Sequence, residues 1–125
     1  MEPKIVKASS IKEYLTPEHC YIFENWSSPK VSIARARIEP GVTTVPHHLI
    51  EVDEYYLIAQ GEGTVKIGSL KPQKVGVGDV VFVPAFTSQS VTNTGTQDLI
   101  FHCICTPKFA ESCYVDEEAA KLKKH

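Results

Sequence analysis

Residues 40–63, PGVTTVPHHLIEVDEYYLIAQGEG, concentrate groups that can do chemistry. They carry the adjacent imidazoles of His47 and His48, the carboxylates of Glu51, Asp53 and Glu54, and the phenols of Tyr55 and Tyr56. An imidazole nitrogen beside a charged oxygen can hold a divalent transition metal, and the same pair can move protons near neutral pH. The segment therefore reads either as a metal site or as the polar rim of an ordinary β-barrel. On an extended strand neighbouring side chains face opposite ways, so His48 is expected on the exterior or in a loop if His47 points inward. The same two-residue period puts Tyr56 on the face of Glu54. There it is either a hydrogen-bonding acid in a cavity or a packed core aromatic. Glu51 and Asp53 read as surface carboxylates. A further histidine, His102, lies in LIFHCICT, residues 99–106. Either Ile100, His102 and Ile104 face inward, or Phe101, Cys103 and Cys105 do; the period forbids both.

The elements that position these groups are short and β-rich. VSIARARI, residues 31–38, alternates between a face with Arg35 and Arg37 and a face with Ala34, Ala36 and Ile38. The second face makes the better core stripe, so the arginines are expected on the exterior or at an interface. EYYLIA, TVKIG, KVGVGD, VVFVPA and QSVTN follow, cut by Gly, Pro and Asn. Strands this closely spaced, with no helices between them, predict an all-β sandwich or barrel. Residues 10–14 predict a short helical turn ahead of Pro17. The tail DEEAAKLKKH predicts a terminal helix capped by Asp116, with Glu117 and Lys121 one turn apart. Phe82, Phe86 and Trp26 read as core or pocket wall. The chain divides into residues 1–30 as an N-terminal arm, 31–107 as the β core and 108–125 as a tail.

The 125 residues suit one domain with its own core. A net charge of −2 and scattered lysines and arginines give no polybasic surface, which excludes nucleic acid and anionic membranes as expected partners. No apolar run reaches membrane-spanning length, and MEPKIVKASS lacks a signal-peptide core, so a cytoplasmic location is expected. The cysteines at 20, 103, 105 and 113 form no CxxC pair and read as small buried hydrophobes. No G-x-S-x-G elbow, GxGxxG or GxxxxGK loop occurs.

Two spaced patterns resemble the motifs of the cupin family. Gly41, five residues, His47, then Glu54, six residues, Gly61 follow the first motif; Gly78, five residues, Pro84, then Asn93 follow the second. The resemblance covers roughly residues 31–107 and implies a double-sheet jelly-roll β-barrel with its site inside. The family's site carries three His and one Glu. Here the matching positions hold His47, Leu49, Glu54 and Gln89, and Phe86 stands at an expected glycine. The resemblance thus leaves His47, Glu54 and Gln89 as metal ligands, with His102 as a possible fourth and Tyr56 as an acid–base group. It implies either a divalent transition metal (iron, manganese, nickel, zinc or copper) or none. The implied activity is an oxygenase, isomerase or lyase acting on a small polar or sugar-like molecule in the barrel. The alternative is a non-catalytic binding cupin with a degenerate metal site. Family analogy also implies a homodimer, with the N-terminal arm available for exchange.

Overall fold

A computed structural model describes residues 2–123, leaving out Met1 and, from the predicted tail, Lys124 and His125. Strands β1 (Tyr14–Leu15), β2 (Tyr21–Ser28), β3 (Val31–Ile38), β4 (His47–Leu49), β5 (Asp53–Gln60) and β6 (Glu62–Ile67) occupy the first half. Strands β7 (Gln73–Gly76), β8 (Val80–Val83), β9 (Gln89–Asn93), β10 (Leu99–Thr106) and β11 (Tyr114–Asp116) complete the β structure, before helix α1 (Glu117–Lys123). Two antiparallel sheets face each other, ordered β1-β2-β3-β10-β5-β8 and β11-β4-β9-β6-β7. This is the jelly-roll arrangement that the strand spacing and the motif resemblance predict.

Each sheet buries one face of alternating residues. In β5, Glu54, Tyr56 and Ile58 are buried while Tyr55, Leu57 and Ala59 are exposed. Ile38, Ile58, Val83, Val91, Leu99 and Phe101 fill the space between the sheets, with Ile38 and Leu99 fully buried. Burying one such aliphatic side chain contributes about 1.5–3 kcal/mol. Arg35 and Arg37 lie on the opposite face of β3 from Ala36 and Ile38, as the stripe argument predicts. Their guanidiniums sit 4.3 Å from the Phe23 ring centre and 4.1 Å from that of Tyr21, and Arg37 pairs with Glu13 and Asp98.

Several local expectations change. The predicted turn at residues 10–14 is a 3-10 turn at Ala8–Ser10, followed by β1. The N-terminal arm contributes β2, which pairs along β3 of its own chain from Tyr21↔Arg37 to Ser28↔Val31. Its residues alternate less cleanly because a bulge falls between Glu24 and Trp26. Phe82 and Phe86 are exposed rather than core, whereas Trp26 lines a cavity. Asp116 does cap α1, accepting the Ala119 N–H at 2.9 Å. The Glu117 carboxylate is taken by His48 Nδ1 at 3.0 Å and Ser88 Oγ at 2.8 Å.

The β5–β6 turn requires glycine. Gly61 has φ +80°, and a Cβ there would lie 2.9 Å from the Asp98 carbonyl oxygen. Backbone atoms cannot swing aside as a side-chain tip can. Gly61→Ala should therefore lose about 2 kcal/mol in urea denaturation, the sum of left-handed strain and the clash. A loss under about 0.5 kcal/mol would mean that the turn relaxes freely.

Candidate active site

The two sheets bring four of the predicted residues to one place. His47 on β4 and Gln89 on β9 are direct antiparallel partners in one sheet. Glu54 and Tyr56 project from β5 in the other. All four are buried and line one cavity of about 400 Å³. A cavity of this size falls in the range that holds small-molecule ligands. Ala36, Val91 and Phe101 belong both to its wall and to the hydrophobic core, so the core braces the site directly.

His102 does not join them. Phe101, Cys103 and Cys105 line the cavity, and His102 takes the opposite face of β10, beside Arg35 and Leu57. The expectation of His102 as a fourth ligand is therefore corrected by the two-residue period of its strand. His48 also faces away, toward Glu117.

The His47 ring is fixed on both sides. Its Nδ1 lies 2.9 Å from the Val45 carbonyl oxygen and 3.4 Å from Glu18 Oε2. Both neighbours are acceptors, which assigns a proton to Nδ1. The ring stacks on Tyr114 at 4.7 Å between centroids, and the Tyr114 hydroxyl donates to the same Glu18 oxygen at 3.3 Å. Sequence reasoning missed Glu18 and Tyr114. Neither falls in a spaced motif, and each reaches the site from a distant part of the chain.

Burial pushes the Glu54 carboxyl up from its usual range, against the opposing pull of the Gln89 amide and the His47 ring. Its Oε1 has no hydrogen-bond partner among the described residues, and neither does Gln89 Nε2. The Gln89 amide and the Cys103 thiol favour the carboxylate without a hydrogen bond of good geometry to Oε1. Gln89 Oε1 accepts the Tyr56 hydroxyl, and the Tyr56 ring packs on Phe101 at 4.7 Å. Burial also holds the Tyr56 phenol and the Cys103 thiol well above their ordinary values, and lifts the Cys20 thiol to about 12. The thiols that line this cavity are thus protonated and are not nucleophiles.

As a metal site the donor set is thin. Leu49, buried, offers no donor where the motif expects an imidazole. His47 Nε2 and one Glu54 oxygen would be firm donors, but the oxygen of Gln89 already accepts from Tyr56. Among the described residues no three His, Cys, Asp or Glu side chains are close enough to share an ion. Catalytic metal centres ordinarily use three protein ligands. These residues do not fit a tightly held ion.

Comparison with known proteins agrees with this architecture. The profile of the family described as a cupin domain matches residues 34–105, more than half of the chain, and the protein belongs to that family. An uncharacterized protein of Methanocaldococcus jannaschii is 28% identical over 114 residues, spanning 86% of this chain and 90% of that one. A predicted oxalate decarboxylase from Thermotoga maritima is 25% identical with a TM-score of 0.75, covering 83% of this chain and 99% of that one. Pac13 of Streptomyces, a nucleoside dehydratase, has a TM-score of 0.73 at 16% identity, covering 92% of this chain and 90% of its own, and shares the fold alone. No helix among the described residues is long and apolar enough to cross a membrane.

Proposed function

We propose that this cupin binds a small polar molecule in its cavity and transforms it by proton transfer, with Glu54 and His47 as the acid–base pair. The reaction class that suits two such groups and no firmly held metal is a lyase or isomerase step, in which one group removes a proton and the other delivers one. The observation that carries this reading is Glu54: a buried carboxylate with one oxygen unpaired inside a ligand-sized cavity. Its raised pKa makes it a stronger base than an exposed carboxylate, closer to the value at which proton transfer is efficient. His47, held as the Nδ1–H form, presents Nε2 as the complementary group. Tyr56 orients the Gln89 amide, and Gln89 orients substrate beside the carboxylate. The nucleoside dehydratase among the structural neighbours is a likeness in support, since dehydration needs the same two proton movements.

The test uses protein stripped with a chelator and then desalted. It is incubated with mixtures of sugars, nucleosides and hydroxy compounds, and consumption is followed by NMR. Turnover should persist in the stripped protein and fall at least about 100-fold in His47→Ala, the usual worth of one acid–base group. Turnover that vanishes on stripping and returns with iron, manganese, nickel, zinc or copper would overturn the metal-independent reading. Ligand binding without consumption would reduce the protein to a binding cupin.

A further inference from the structure

The interior charge of the cavity and its unpaired polar atoms together define what it accepts. At the exposed rim Lys4 and Glu24 offset each other. Inside, the acidic groups are Glu18, whose side chain is 18% exposed, and Glu54, which is buried. Among the described residues, no lysine or arginine other than Lys4 lines the cavity. Among the described residues, three atoms of the lining are buried and unpaired: two acceptors, Glu54 Oε1 and Asn25 Oδ1, and one donor, Gln89 Nε2, with Glu54 and Gln89 on facing sheets. A carboxylate or phosphate could accept from Gln89, but it has no proton for Glu54 and would leave two like charges facing each other in a low dielectric. An alcohol does both, donating to Glu54 Oε1 and accepting from Gln89 Nε2.

Resting on the small-molecule reading above, we infer that the site selects uncharged hydroxylated ligands and rejects organic acids and phosphate esters. This separates the chain from any cupin built for a dicarboxylate, whatever the shared fold. Glu18 sets part of the rejection, because its carboxylate, beside the His47 ring, adds a second negative charge to the same cavity.

The experiment measures binding by calorimetry to matched probes on the full chain: glucose with glucuronate, uridine with uridine monophosphate, glycerol with glycerate. The neutral member of at least one pair should bind, at least about tenfold tighter than its anionic partner. In Glu18→Gln that preference should shrink severalfold. An anionic member that binds equally well or better overturns the charge selection and leaves the small-molecule reading standing. No binding by either member of any pair counts against both. Unchanged discrimination in a folded Glu18→Gln protein would remove Glu18 from the explanation.

Discussion

Glu54→Gln should raise the melting temperature at pH 7 while nearly eliminating turnover. The two effects have one cause. A buried carboxylate with an unpaired oxygen costs stability, because folding strips its water and returns no partner for that atom. Glutamine keeps the shape and carries no charge. Removing an unsatisfied buried charge is worth about 1–3 kcal/mol, or roughly 4 °C and upward in a domain of this size. The pH dependence follows from the direction of the shift. The folded protein holds the Glu54 proton more tightly than the unfolded chain does, so the wild type loses stability as pH rises above the unfolded carboxyl value. The gap between variant and wild type should thus be widest near neutral pH and close below about pH 4, where the carboxyl is neutral in both states. Turnover should fall at least about 100-fold, chiefly in kcat, since the amide still accepts a hydrogen bond but cannot take a proton. Thermal scans across pH with a turnover assay check both. A variant less stable than wild type at pH 7 would mean that Glu54 has a partner in the folded protein.

Asn93→Ala should produce the largest loss of stability, with the site left intact. Asn93 is 1% exposed, and its amide ties the end of β3 to the loop that follows β9. Nδ2 donates to the Ile38 carbonyl at 2.8 Å and to the Gln97 carbonyl at 2.9 Å, and Oδ1 accepts the Gly95 N–H at 2.9 Å. Truncation leaves two carbonyls and one N–H without those bonds. At about 1–1.5 kcal/mol each, the loss is roughly 3–4 kcal/mol, a large share of the stability of an ordinary domain. Asn93→Asp should be no better, because it keeps the Gly95 bond but turns a charged acceptor toward two carbonyls. Urea denaturation should show a midpoint lowered by about 1 M or more with an unchanged slope. A loss below about 1 kcal/mol would mean that water replaces the amide. The closing Asn of the second motif is therefore a tie between a strand end and a loop, and it stands apart from the chemistry.

Phe86 shows how far a motif can drift while its backbone stays. It occupies the position where the pattern expects glycine, and its φ is +67°, a conformation that glycine adopts without strain. Its N–H still donates to the Leu49 carbonyl at 2.7 Å. The backbone geometry survives the change of residue, and the displaced phenyl ring goes to the surface.

The sequence alone determined the β class, most strand positions, the inward stripe of β3, the helix cap at Asp116 and the identity of His47, Glu54, Tyr56 and Gln89 as candidates. All of these rest on local information: a two-residue alternation, turn residues, or a fixed count between motif positions. Only the tertiary structure decided which face of β10 looks inward, and so removed His102, because both faces of that strand are apolar enough to be buried and the period has no preferred phase. It alone brought in Glu18 and Tyr114, whose approach to His47 depends on how a loop and a late strand pack across the sheet end. It alone left Glu54 Oε1 and Gln89 Nε2 unpaired, since whether a buried polar atom finds a partner depends on atoms distant in the chain.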